Sequence, residues 1–166
     1  MWSLMIISYL FILFTTILLL LSGMQGYYQF QIFQAHHPQF ALLTTIFYML
    51  TETLIMFYFI GTGTAIKKTI QISCLDTSLY DNIIKTKIKL FPHLTLNMIF
   101  VGIVFILGGA VQTGIMSGWI HGILFNLSFL HFMYTTLLQH NGFKENVGII
   151  SELANYTIAK VNGASV

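Results

Sequence analysis

The chain has 166 residues, of which 56% are hydrophobic and 7% are charged. A soluble globular domain carries about 25% charged residues, so this composition excludes an ordinary water-soluble domain and predicts an integral membrane protein. The only cysteine, Cys74, excludes an intramolecular disulfide framework and a CxxC metal site, and we interpret it as a loop or interfacial thiol. The basic residues, all of them lysine, are too sparse to form a nucleic-acid-binding surface.

Four apolar stretches reach the length of about 20 residues that a membrane-spanning helix needs. They cover residues about 2–22, 38–63, 93–115 and 118–139. The first stretch has no charged residue, no lysine before Trp2 and a poor cleavage site after Ser22, so we expect an uncleaved helix rather than a signal peptide. The sequence therefore predicts an all-α fold: a single membrane domain over residues 1–166, built as a four-helix bundle with four transmembrane helices.

Two polar segments lie outside these stretches. The segment 67–92 contains five of the seven lysines, and its apolar residues recur at helical spacing. This pattern predicts a short interfacial helix over about 77–90, with its lysines towards anionic headgroups; a plain solvated loop is the alternative. The tail, residues 140–166, is also polar, and a second set of apolar residues at helical spacing predicts a surface helix there: Phe143, Val147, Ile150 and Leu153.

The lysine positions predict the orientation of the chain in the membrane. In a four-helix arrangement the amino terminus, the segment 67–92 and the tail share one side, and every lysine belongs to that side. The opposite side, residues 23–37 and 116–118, has none. Because lysine is enriched on the cytoplasmic side of membranes, we expect both termini to be cytoplasmic.

An intramembrane polar cluster is predicted from depth. Glu52 lies about 14 residues beyond the start of the second stretch at Pro38, and His131 lies about as far beyond Gly118, which places both roughly 20 Å deep at 1.5 Å per residue. Asn97, on the third stretch, falls at a similar level. Because polar groups in hydrocarbon need partners, we expect Glu52, His131 and Asn97 to meet.

The fourth stretch supports this cluster with one polar stripe. At 100° per residue, five polar side chains fall within about a quarter of the helix circumference: His121, Ser128, His131, Thr135 and Gln139. Such groups often only hold membrane helices together, at about 0.6 kcal/mol per hydrogen bond. A functional Glu52–His131 site and a purely structural one therefore stay open.

Histidines on the lysine-free side could hold a metal. His36 and His37 precede the second stretch, His121 is one turn into the fourth, and Gln112 is near the end of the third. Three imidazoles can bind Cu or Zn, with Gln112 or water completing the ligand set. Simple polar capping of a helix start by His36 and His37 is the alternative.

Haem b is the other use for intramembrane histidines, as axial ligands from facing helices. His121 and His131 could serve two levels, and candidate partners stand on either side: His36, His37, His93 and His140. One argument opposes a haem on the lysine-free side, because its propionates would find no cation there. A haem near Lys89 or Lys144 is electrostatically easier.

Three functions are compatible with these residues. The first is a small electron-transfer or metal-binding subunit of a larger membrane complex, holding haem b or a transition metal, rather than a stand-alone enzyme. The second is an accessory or scaffold subunit whose polar contacts are structural. The third is a proton pathway through Glu52 and His131. In each case the expected partners are the lipid bilayer and other membrane subunits or a second copy of the chain.

Overall fold

The computed structural model describes residues 2–73 and 78–163. Within them the chain forms four α-helices: α1 (Trp2–Tyr28), α2 (His37–Ser73), α3 (Ser78–Gln112) and α4 (Gly118–Gly163). The first three are each long and apolar enough to cross a membrane, which supports a membrane protein. That residues 118–139 also span the membrane stays a prediction. Cys74, interpreted above as a loop or interfacial thiol, lies outside the described residues.

The helices pack as an antiparallel series in chain order. The most extensive contacts join α1 to α2, α2 to α3 and α3 to α4, and sparser ones join α1 and α2 to α4. Side-chain hydrogen bonds fix the register, for example Thr15 to Thr51 between α1 and α2. One end of the bundle holds the connection 29–36 and the turn 113–117, and we call it the histidine end. The opposite end, which carries Lys67 to Lys89, is the lysine end.

Large apolar side chains cover the outside of the bundle. Leu13 on α1 is 59% exposed, Phe57 on α2 is 63% exposed and Leu130 on α4 is 63% exposed. The interior, by contrast, contains many small or polar side chains, including Thr15 and Thr51. An apolar surface around an interior that contains many polar side chains is the pattern expected where lipid is the solvent, since the helices then associate through packing and hydrogen bonds.

The structure joins two elements that the sequence analysis separated. The predicted interfacial helix at about 77–90 and the predicted spanning helix at 93–115 form one continuous helix, α3, which passes through Pro92. The reason lies in packing, because one stripe of buried residues continues across the proline: Ile83, Thr86, Leu90, Leu94, Asn97, Val101 and Val104. This continuous contact with the neighbouring helices outweighs the hydrogen bond that Pro92 cannot make.

Helix α4 likewise continues without a break from the predicted fourth stretch into the predicted tail. Its tail residues Ile149 and Leu153 pack with Ile66 and Ile70 of α2 and Ile83 of α3 in a second hydrophobic cluster. Residues 140–163 of the tail are helical, as predicted, but Ile149 and Leu153 are buried against α2 and α3. The bundle therefore extends at its lysine end beyond the apolar stretches.

The connection that positions His36 and His37 contains strained backbone. Ile32 and Ala35 exchange two backbone hydrogen bonds of 3.2 and 2.8 Å, and the two residues between them, Phe33 and Gln34, have φ values of 49° and 64°. Side chains other than glycine, asparagine and aspartate rarely adopt this region, at a cost of roughly 1–2 kcal/mol per residue. Two-residue turns of this form prefer glycine at the second position.

We therefore expect Gln34→Gly to stabilise the protein by about 1 kcal/mol, because glycine removes the steric cost of the positive φ. The measurement is thermal unfolding in detergent. Gln34→Ala is the matched control, since it removes the same side chain and keeps the strain. Equal melting temperatures for the glycine and alanine variants would contradict the prediction.

Candidate functional site

Glu52 lies at the centre of the bundle and is 0% exposed. Its Oε1 accepts a hydrogen bond of 2.7 Å from Asn97 Nδ2 on α3. Its Oε2 accepts one of 2.9 Å from Gln139 Nε2 on α4. Both partners are uncharged amides, and both are also 0% exposed. The carboxyl group therefore ties three helices together through N–H donors alone.

The hydrogen bonds continue from Asn97 to two histidines. Asn97 Oδ1 lies 2.5 Å from His131 Nδ1, and His131 Nε2 lies 3.3 Å from His93 Nδ1. Because Asn97 donates to Glu52 through its nitrogen, its oxygen must accept, so His131 Nδ1 carries the proton. With both imidazoles neutral, His131 Nε2 accepts the hydrogen bond from His93 Nδ1. Each donor in the series from His93 through His131 and Asn97 is then directed towards Glu52.

The structure places the three residues of the depth argument in one network, with one difference in its connections. Glu52 and His131 are bridged by Asn97 and do not bond directly. Gln139, which the sequence analysis had only as a member of the polar stripe, is the second direct partner of Glu52. Its position around the helix could have indicated this contact with Glu52, because Gln139 and His131 share one face of α4.

Two buried polar atoms next to this network have no hydrogen-bond partner among the described residues. One is the hydroxyl of Tyr48, a residue 1% exposed and one helical turn from Glu52 towards the histidine end. The other is Oε1 of Gln139. Buried polar atoms without partners are uncommon in folded proteins, and each one needs an explanation such as a bound water.

A cavity of about 870 Å³ opens at the histidine end, lined by all four helices and by the connection 29–36. Its lining is mostly apolar or small, including Ala41 and Thr45 of α2 and Gly108 and Gly109 of α3. His37, at the start of α2, and His121, near the start of α4, both border it. The cavity is thus a ligand-sized space with imidazoles from two different helices.

The rings of His37 and His121 are in edge-on contact, with centroids 6.3 Å apart and planes inclined by 70°. In both rings Nδ1 is buried and has no hydrogen-bond partner among the described residues. Each ring therefore has one buried nitrogen that no described side chain or backbone group satisfies.

Glycines hold these two rings in place. The His37 ring lies over Gly26 of α1 and the His121 ring over Gly108 of α3, and in each case an added Cβ would come within 3.2 Å of the ring carbon Cε1. A contact of that length is tighter than normal packing, so a larger residue would push the ring away. The two glycines therefore allow the imidazoles their approach to the helix backbones.

The remaining candidate histidines are not part of this pair. His36 borders the same cavity, but it is exposed and its Nε2 lies 3.2 Å from Gln31 Nε2. His140 is exposed, and its Nδ1 lies 2.9 Å from the hydroxyl of Tyr9.

Over residues 2–73 and 78–163 there is no group of three or more His, Cys, Asp or Glu side chains that could hold a metal ion. The predicted convergence of His36, His37 and His121 on one Cu or Zn ion is therefore not found.

A comparison of the chain with known protein families, with curated protein sequences and with solved structures finds no match.

Proposed function

We propose that the protein is a small multi-pass membrane protein that binds a b-type haem in the cavity at its histidine end, where His37 and His121 would hold it. The supporting observation is that two helices, α2 and α4, each place an imidazole at the border of this cavity. The ring centroids of His37 and His121 are 6.3 Å apart.

The hydrogen bonding of the two rings supports the same assignment. A histidine that binds a metal usually donates its other ring N–H to a carbonyl or carboxylate, which fixes the tautomer and orients the ring. His37 and His121 each have a buried Nδ1 without a partner among the described residues. Buried polar atoms of this kind need an explanation, and a group bound at the histidine pair would supply one.

Two ligands from the protein favour haem over a bare ion. A structural zinc site takes four protein ligands and a catalytic one takes three, whereas a porphyrin supplies four nitrogens itself and needs only the two axial ones. The volume of about 870 Å³ lies within the range of about 300–1,000 Å³ for small-molecule and cofactor sites. The small residues Ala41 and Gly109 on the cavity wall leave space for a flat macrocycle.

The propionates of this haem would lie among neutral donors. The histidine end has no lysine, which was the argument against a haem on this side, but the exposed amides of Gln39 and Gln112 border the cavity. Amide N–H groups bind carboxylates less strongly than cations do. Gln39 and Gln112 would be the donors available to the propionates, and His37 and His121 would hold the iron.

The proposal also includes the arrangement of the chain across the membrane. Residues 118–139 form a fourth membrane span, both termini are cytoplasmic and the haem lies near the opposite surface. In this arrangement the protein is an electron-transfer subunit of a larger membrane complex rather than an enzyme by itself.

The experiment is an absorption spectrum of the protein purified in detergent from cells supplied with a haem precursor. We expect a Soret band, a pyridine haemochrome of the b type, and loss of at least nine-tenths of the bound haem in His37→Ala and in His121→Ala. His36→Ala is the matched control, because His36 borders the cavity without facing His121, and it should retain the haem. A well-folded protein without a Soret band would contradict the proposal and favour the scaffold function.

A further inference from the structure

Two lysines at the lysine end reach across the seam between α2 and α3. Lys67 of α2 lies over the ring of Tyr80 of α3, with its Nζ 5.7 Å from the ring centroid. In the opposite direction, Lys87 of α3 lies over Gly63 of α2, where an added Cβ would come within 2.9 Å of the Lys87 Cε and would also collide with its Nζ. Each helix thus contributes one ammonium group that contacts the other helix.

Both ammonium groups belong to the same side of this seam. At 3.6 residues per turn, Lys67 lies about 40° from Gly63 around α2, and Tyr80 lies about 20° from Lys87 around α3. Along the helix axes, Gly63 and Lys67 are about 6 Å apart and Tyr80 and Lys87 about 10 Å apart. Because each lysine lies beside the contact of the other, the two ammonium groups are within about 10 Å of each other along the seam.

The pair of lysines lies at the level expected for lipid headgroups. Measured from Pro38 at 1.5 Å per residue, Gly63 is about 38 Å and Lys67 about 44 Å along α2. A bilayer is about 30 Å thick across its hydrocarbon core and about 40–45 Å with its headgroups. One turn from this level towards the middle of the bundle the seam becomes apolar, with Ile60 45% exposed on α2 and Phe91 half-buried on α3.

The two lysines lack a counter-charge among the described residues. Over residues 2–73 and 78–163 neither Lys67 nor Lys87 forms an ion pair. The carboxylate of Glu145 on α4 accepts a hydrogen bond of 2.7 Å from Thr86, which precedes Lys87 in the chain and lies about 100° away from it around α3. Lys87 is half-buried. An ammonium group that is partly removed from water is stabilised by a bound anion.

We propose that the α2–α3 seam at the lysine end binds one anionic phospholipid. Its phosphate lies between the ammonium groups of Lys67 and Lys87, and its acyl chains follow the apolar part of the seam past Ile60 and Phe91. Lysine binds phosphate as a point charge, and anionic lipids attract lysines next to membrane spans. A zwitterionic phospholipid carries its own cation beside the phosphate, so the site selects lipids with a net negative charge.

The test is native mass spectrometry of the purified full chain, with phosphatidylglycerol and phosphatidylcholine of identical acyl chains as the probes. At an ionic strength of about 0.15 M charges are screened beyond about 8 Å, which limits attraction by lysines outside the seam. Each lysine close to an anionic lipid contributes about fivefold to the affinity. We therefore expect one phosphatidylglycerol molecule to bind about tenfold or more tightly than phosphatidylcholine.

Three variants separate this site from general attraction between lysines and anionic lipids. Lys67→Gln combined with Lys87→Gln should weaken phosphatidylglycerol binding by about tenfold or more. Lys85→Gln combined with Lys89→Gln is the matched control, because it removes the same charge from exposed positions of α3, and it should change the affinity by less than about threefold. Gly63→Ala keeps every charge but displaces Lys87 from the seam, so it should weaken binding by about fivefold.

Several results would overturn the proposal. Equal losses in the two double variants would mean that the lysines act only through their total charge. Equal affinities for the two lipids, or displacement of phosphatidylglycerol by the same concentration of inorganic phosphate, would exclude a site for an anionic lipid. If the Lys67 and Lys87 double variant fails to fold, Gly63→Ala decides, because an unchanged affinity in that variant would contradict the role of Lys87. The seam is separate from the histidine end, so these results are independent of the proposed haem site.

Discussion

Replacement of Asn97 by leucine is expected to lower the free energy of unfolding by about 3 kcal/mol. Leucine fills a similar volume but makes neither of the two hydrogen bonds that Asn97 forms in the bundle core, to Glu52 and to His131. Each buried polar group left without a partner costs about 1–3 kcal/mol, and more when the group is charged. The measurement is thermal or denaturant unfolding in detergent micelles.

The cause can be isolated with a double-mutant cycle. Removing both partners should be less harmful than removing one, so Asn97→Leu combined with Glu52→Leu should recover part of the loss. Glu52→Gln should be mild, because an amide can still bond to Asn97. Asn126→Leu is the matched control, since Asn126 is an exposed asparagine on α4 that donates to Tyr27, and it should cost less than 1 kcal/mol, the size of a typical hydrogen bond. Strictly additive losses for Asn97 and Glu52 would contradict the network.

The same cycle distinguishes the sequence-based interpretation from the structure. The depth estimate pairs Glu52 with His131, whereas in the structure Asn97 lies between them. The coupling energy should therefore be larger for Glu52 with Asn97 than for Glu52 with His131. A stronger coupling of Glu52 to His131 would mean a direct contact between them and a different packing of α2 against α4.

The level of the polar network could be predicted from the sequence because the rise of a helix is fixed. Counting residues from the helix starts gives Glu52, Asn97 and His131 similar depths without any knowledge of packing. The hydrogen-bond partners depend instead on rotation of the helices about their axes and on side-chain rotamers, which residue counting does not contain. For that reason Gln139 was assigned to a polar stripe but not to Glu52.

The pairing of His37 with His121 was harder to isolate from the sequence. His36 and His37 are adjacent, and the strained turn at Phe33 and Gln34 and the helix start after it decide which of them contacts His121. The glycines under the two rings, Gly26 and Gly108, come from two other helices. A sequence shows such a glycine only as a small residue in an apolar stretch, and its ring partner appears once the helices are packed.

The extension of the bundle at the lysine end shows a third limit of sequence reasoning. An apolar stripe on a helix has the same spacing whether the helix lies on a membrane surface or packs against other helices. The stripe of the tail was visible, but its partners Ile66 and Ile70 flank Lys67 and Lys68, at the start of a segment interpreted as polar. Packing partners far apart in the chain therefore decide between the two arrangements.

Phe143 provides the clearest test of that extension, and Phe143→Ala should destabilise the protein by about 4 kcal/mol. The side chain is 1% exposed and its ring contacts Tyr9 of α1 and Tyr58 and Phe59 of α2, with centroids 5.0, 5.0 and 5.3 Å away. Truncation of a buried phenylalanine to alanine costs about 3–5 kcal/mol, because buried apolar area is lost and a cavity remains. Aromatic pairs add about 0.5–1.5 kcal/mol each.

Tyr156→Ala is the matched control for Phe143→Ala. Tyr156 is an aromatic residue on the same helix but is 50% exposed, so its truncation should change the stability by less than about 0.5 kcal/mol. Phe143→Leu should fall between the two, since leucine fills part of the cavity. If residues 140–163 lay on the membrane surface as a separate helix, Phe143→Ala would weaken lipid binding and leave the melting temperature of the bundle unchanged. A large fall in melting temperature, together with faster proteolysis of the tail, would instead follow from its burial between α1 and α2.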